Sequence, residues 1–221
     1  MSALHIAVIV LLAVVAAAWW SRRSWRDRFS VSRARPVVSR FDGLAYRVHS
    51  AHGARQRAAD IIAALNGRVV SVLRALRRRH AGAGGARGAA ATRMLARYDP
   101  DSLVENSPRD PDGDTSYCVD KGAVLALCLR ERDPAESGDP AVHDFHDLET
   151  LTFVAFHELA HMAVDEIDHT PGFWAAFRFV LEVAEAEGIY TSPDFEAAPR
   201  RYCGITINYS PRWDDTVVRY A

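Results

Sequence analysis

Five consecutive residues, His157-Glu158-Leu159-Ala160-His161, hold the chemistry on which the reading of this 221-residue chain turns. Histidines four apart on a helix project from one face, so both imidazoles can reach a single ion, and H-E-x-x-H on a helix is a zinc-site signature. The glutamate between them then lies beside the open position of the metal, where it can take a proton from water. A third imidazole follows at His169, with seven residues (162–168) between it and His161. That gap is too long for the same helix face and suits a turn back toward the ion. Thr170 is a good N-cap and Pro171 a good first helical residue, so a new helix should begin directly after His169. It should run through Phe173, Trp174, Phe177, Val180 and Leu181 to a glycine stop at Gly188.

Three histidines leave one coordination position free, whereas structural zinc sites are closed by four protein ligands, usually with cysteine among them. The pattern therefore predicts a single catalytic Zn2+ held by His157, His161 and His169, with Glu158 as general base for peptide-bond hydrolysis and later as proton donor to the leaving amine. Glu182 is a rival third ligand, because twenty residues separate it from His161; Asp165 and Glu166 are nearer acids expected to face solvent. Tyr190, Tyr202 and Tyr209 are candidate donors to a transition-state oxyanion, and the sequence does not choose among them.

The elements that must position these groups read as follows. Residues 148–164 form the metal-bearing helix. Residues 115–119 and 123–129 are two strands around the turn Asp120-Lys121-Gly122, and their edge either holds an extended substrate by strand addition or simply covers the core. Residues 54–79 carry Ala58, Ile61, Ile62, Leu65, Val69, Val72, Leu73 and Leu76 at helical spacing. The glycine- and alanine-rich stretch 80–91 reads as a flexible connection, residues 98–114 as loops and turns, and 130–144 as a polar loop. The predicted class is α+β, with a small antiparallel sheet beside the metal helix.

Residues 3–20 are an almost unbroken apolar run, followed by seven arginines within residues 21–40. Eighteen helical residues reach about 27 Å, close to the thickness of a bilayer core. Trp19, Trp20 and Trp25 stand where an interfacial belt would lie, and the positive-inside rule places the rest of the chain in the cytoplasm. The expected organisation is a transmembrane anchor at 1–20, a basic juxtamembrane linker at 21–53 and a metallopeptidase domain at 54–221. A cleaved signal peptide, with Ala16-Ala17-Ala18 near its cleavage site, is the competing reading.

Composition bounds the rest. A hydrophobic share of 49% supports a real core, and the net charge of −1 hides an asymmetry: 18 arginines against 3 acidic residues in 1–97, and 25 acidic against 9 basic residues in 98–221. The basic half makes a nucleic-acid-associated protease one alternative, and a catalytically silent, membrane-tethered zinc protein is another. Cys118, Cys128 and Cys203 are odd in number and lack C-x-x-C spacing, which suggests neither a disulfide framework nor a second zinc site and favours a reducing compartment.

The metal core, with Phe173-Trp174 opening the next helix, resembles the WLM and SprT-like zinc metallopeptidases. Similar segments are Tyr98-Asp99-Pro100-Asp101-Ser102-Leu103, Thr115-Ser116-Tyr117, Leu127-Cys128-Leu129-Arg130 and Tyr202-Cys203-Gly204-Ile205-Thr206-Ile207, especially to WLM-like proteins of large DNA viruses and algae. The resemblance covers roughly residues 54–210. It implies a minimal zincin fold, His157, His161 and His169 as zinc ligands, Glu158 as catalytic base, and a protein or peptide substrate. Soluble members of the family cut proteins crosslinked to DNA; this chain departs from them in its apolar N-terminal run and in having no recognisable DNA-binding module.

Overall fold

The computed structural model of the protein describes residues 33–107, 115–131 and 145–220. Its centre is a five-stranded sheet formed by β1 (Ala34–Val38), β2 (Ala45–His49), β3 (Leu103–Asn106), β4 (Tyr117–Val119) and β5 (Val124–Cys128), in the spatial order β1-β2-β3-β5-β4. The two outer pairs are antiparallel, whereas β2–β3 and β3–β5 are parallel. The class is α+β as expected, but the sheet is mixed rather than small and antiparallel. Parallel pairing needs a long crossover, and two helices supply it between β2 and β3: α1 (Arg55–His80) and α2 (Gly85–Arg97). Two further helices, α3 (Leu148–His161) and α4 (Pro171–Ala186), and a hairpin of β6 (Arg200–Tyr202) with β7 (Ile205–Ile207) complete the described fold.

Alternation along the strands sorts the core. Leu103, Leu125 and Leu127 belong to the large cluster formed with the helices, while Val104, Val124 and Ala126 join Ala34 in a small second cluster. Strands β3 and β5 are buried at every position, as expected of central strands covered on both faces. Helix α1 lays a stripe running from Ala58 to Leu76 against this core and ties itself to α3 through Arg68, which donates to Thr152 Oγ1 at 2.6 Å and to Glu149 Oε1 at 2.7 Å.

Several expectations are corrected. The anchor expected at 1–20 lies outside the described residues, and among the described residues no helix is long and apolar enough to cross a membrane. Helix α1 has the length, at 26 residues, but carries arginine along it; α3 is largely buried but only 14 residues long. The single-pass, membrane-tethered organisation with a cytoplasmic domain is therefore not supported. Much of the presumed linker 21–53 is sheet: β1 and β2 pair from Ala34↔His49 to Val38↔Ala45. Pro36 is tolerated because β1 is an edge strand.

The presumed flexible stretch 80–91 contains most of the first half of α2, in which Gly88, Ala90, Ala91 and Met94 are buried. Alanine is the strongest helix former, and side chains this small bury fully when the neighbouring helix comes close. Cys128 and Cys203 form a disulfide that fastens the β6–β7 hairpin to β5, against the expectation of no disulfide; Cys118 remains a free thiol. At the β4–β5 turn, Gly122 has φ 119° and a Cβ there would stand 2.6 Å from the Arg97 carbonyl oxygen, so only glycine fits.

Candidate metal centre

Helix α3 is almost wholly buried and begins at Asp147, whose carboxylate accepts from the Thr150 amide at 2.8 Å. Its last turn presents the H-E-x-x-H residues: His157 and His161 lie on one face with ring centroids 5.1 Å apart, and Glu158 is buried at the side. The helix stops at His161, three residues earlier than the sequence suggested. Arginines of α2 take over the free carbonyls beyond it: Arg97 Nη1 donates to Met162 O at 2.8 Å and to Val164 O at 3.0 Å, and Arg93 Nη1 to Ala163 O at 3.4 Å. These cations also complement the negative end of the helix dipole. Arg97 pairs with Asp165 and Lys121 donates to the Glu166 carbonyl, so the connection to His169 is held at several points.

The second helix begins as its sequence required. Thr170 Oγ1 accepts from the Phe173 amide at 3.2 Å, and Pro171 is the first helical residue. Its far end is a Schellman arrangement at Gly188 (φ 65°), where Gly188 donates to Glu185 O and Ile189 to Ala184 O, both at 2.9 Å. This firm start fixes His169 against the other two histidines. Its ring centroid is 4.8 Å from that of His157 and 5.1 Å from that of His161, and the Nε2 atoms of His157 and His169 are 3.0 Å apart. Phe173 stacks on His161 at 4.3 Å and Phe177 meets His157 edge-on at 5.3 Å, which limits the rotation of both imidazoles.

One nitrogen from each histidine lies within 4.8 Å of the others, so the three can hold a metal ion. Two nitrogens at zinc-bonding distance in a tetrahedral shell stand about 3.4 Å apart, close to the His157–His169 spacing. An all-imidazole set suits zinc better than the hard, oxygen-seeking cations. Protonation is also right for ligation: burial, then the neighbouring imidazoles, depress His157 to about 3; burial and His169 take His161 to about 4; burial lowers His169. All three are neutral at pH 7, with lone pairs available. Burial alone pushes the Glu158 carboxyl up to about 8, and a nearby cation would draw it back toward the ionised form.

Two concavities meet at this cluster, and His157, Glu158, His169 and Ser116 line both. One, of about 510 Å³, is bordered by Tyr117 and Cys118 of the edge strand β4 and by Asp120, Lys121 and Asp168. The other, of about 310 Å³, is walled by Phe153, Trp174, Phe177, Ile205 and Ile207.

The sequence-predicted residues divide cleanly. His157, Glu158, His161 and His169 come together. Glu182 does not: it pairs with Arg178 at 3.2 Å and Arg219 at 3.7 Å. Asp165 is exposed and paired with Arg93 and Arg97. Of the three tyrosines, Tyr190 is buried away from both concavities, whereas Tyr202 and Tyr209 line the apolar one. Sequence reasoning missed Arg97, Ser116 and the β6–β7 hairpin. Only the hairpin carried a signal, in the alternation of Tyr202, Ile205 and Ile207 around Cys203-Gly204.

No protein-family model matches the chain, and no solved structure matches it. Viral proteins are similar over part of it. Uncharacterized protein R325 of Acanthamoeba polyphaga mimivirus is 41% identical over 108 residues, 48% of this chain and 49% of that protein. Uncharacterized protein 136R of Invertebrate iridescent virus 6 is 33% identical over 79 residues, 36% of this chain and 40% of that protein. The chain thus spans about half the length, or less, of these relatives. Their names carry no activity, and none of these comparisons links the chain to the WLM or SprT-like peptidases.

Proposed function

We propose that the chain is a zinc-dependent peptidase. The observation that carries this reading is the convergence of three neutral imidazoles beside a buried glutamate, on the floor of a cleft bordered by β4, the outermost strand of the described sheet. His157, His161 and His169 would hold the ion. Zinc, when bound, supplies Lewis acidity, polarising a carbonyl and lowering the pKa of water.

The remaining roles fall to the chain itself. Strand β4 is the outermost strand of the sheet among the described residues and borders the larger concavity, the place where an extended polypeptide would be laid alongside the sheet. Glu158 faces both concavities and has the position of a general base: a carboxylate oxygen takes the proton of the attacking water and returns it to the departing amine nitrogen. Phe173, Phe177 and the Thr170 cap keep the imidazoles oriented through that cycle.

Glu158→Gln tests the assignment. It should lower kcat by about 10²- to 10⁴-fold on any cleaved peptide while zinc content, measured by plasma mass spectrometry, stays at one ion per chain. Undiminished hydrolysis by the variant would falsify the role of Glu158.

A further inference from the structure

The two concavities that share the histidine cluster differ in chemistry, and the difference bears on what the cleft accepts. In the smaller one the walls are the side chains of Phe153, Trp174, Phe177, Ile205 and Ile207. Of its five hydroxyls, those of Ser116, Tyr202 and Tyr209 are engaged, and Thr115 and Thr206 supply the other two. Ser116 Oγ lies 2.5 Å from Tyr202 Oη and accepts the Cys128 amide at 2.9 Å, and Tyr209 donates to Asp214 Oδ2 at 2.9 Å. A guest there meets mainly apolar surface, with Thr115, Thr206 and Asn208 as the remaining polar lining. In the larger concavity Asp120, Lys121 and Asp168 leave charge on the wall.

Size points the same way. At about 310 Å³ the apolar cavity is at the lower end of small-ligand sites, enough for one or two large side chains and too small for a folded partner. It is continuous with the cluster through His157, Glu158 and His169, so a side chain seated in it belongs to a residue next to the bond presented to Glu158.

We infer that the apolar cavity is a specificity pocket, and that the preferred substrates are extended polypeptides with a large apolar or aromatic side chain directly beside the scissile bond. This rests on the peptidase reading above and adds the substrate class to it. The residues that set the preference are Ile205 and Ile207 of the hairpin together with Phe177 and Trp174 of α4. The Cys128–Cys203 disulfide and the Cys203 amide, which donates to His146 Nε2 at 3.1 Å, hold the hairpin wall in place. Burying one large apolar side chain is worth roughly 10- to 100-fold in kcat/KM over alanine at the same position.

The test uses the zinc-loaded chain and a peptide panel varied at the residues flanking one bond. Cleavage is read with the wild type, and binding to Glu158→Gln by anisotropy of labelled peptides. Phenylalanine or leucine at one flanking position should be favoured over alanine and aspartate by on the order of tenfold or more in both readouts. Ile207→Asp should collapse that ratio, Ile207→Val should preserve it, and Ile205→Asp, at a half-exposed position, repeats the first test should Ile207→Asp fail to fold. Cleavage with a flat profile overturns the pocket and leaves the peptidase reading standing. Selective binding without cleavage of any peptide overturns the peptidase reading and leaves the pocket. A ratio unchanged in both aspartate variants overturns the inference.

Discussion

Glu105 and Arg130 form an ion pair with no solvent exposure on either side chain: Arg130 Nε donates to Glu105 Oε1 at 2.6 Å, and the His49 amide donates to Oε2 at 2.8 Å. The guanidinium lies over the Phe145 ring at 4.2 Å. Next to this charge-paired arrangement, the histidine cluster has a different character. Its imidazoles are neutral, bring one nitrogen each to a common point and face open space. In the first, opposite charges answer each other, with Arg130 Nη1 and Nη2 buried and not hydrogen-bonded. In the second, three imidazoles converge with no countercharge among them, around a space that a cation can fill. A buried charge met by its opposite belongs to the fold; titratable groups gathered without a countercharge are where a ligand can bind.

The contrast can be broken first at the ion pair. Arg130→Met leaves the Glu105 carboxylate buried without its countercharge and should cost about 3–5 kcal/mol in urea unfolding, whereas Glu105→Leu with Arg130→Met together should recover most of the loss. An equal cost for single and double variants would mean that packing, not charge, governs the pair. At the histidines the effect should come from outside. Zinc at a hundredfold excess over its dissociation constant should stabilise the wild type by about 2.7 kcal/mol, read as a rise in Tm that vanishes in His161→Ala. A ligand-independent Tm in the wild type would remove the distinction drawn here.

The smallest effect concerns pH. Burial holds His146 below its ordinary value, against the pull of Glu131, and its neutral Nε2 accepts from the Cys203 amide. Between the folded and unfolded values the unfolded chain binds more protons, so the contribution is complete above about pH 6.5 and declines as the pH falls below it. Melting profiles between pH 7.5 and about 5 should be steeper for wild type than for His146→Gln; parallel profiles would show that the hairpin contact does not titrate.

Periodicity and end signals made part of this structure readable. Helix α1 announced itself by its apolar stripe, and α4 by Thr170, Pro171 and Gly188. The turn at Asp120-Lys121-Gly122 was likewise plain, because a chain reversal there needs positive φ. The histidine cluster was legible because one helix turn and one capped restart are local facts. What escaped notice is non-local. Strand β1 is an exposed edge whose five residues include Arg35 and Pro36, so it lacks an apolar run. Helix α2 buries only small side chains, and β3 hides four residues among turn formers, one of them a glutamate whose partner lies 25 residues away. Two cysteines 75 positions apart leave no spacing to recognise.

That same separation has a consequence in time. Synthesis proceeds from the N-terminus, so Cys128 leaves the ribosome 75 residues ahead of Cys203, and the histidines and Glu158 precede Ile205 and Ile207. At about 5–20 residues per second, the delay for the disulfide partners is about 4–15 s. During that interval the three histidines and Glu158 exist without the hairpin that walls the apolar cavity beside them.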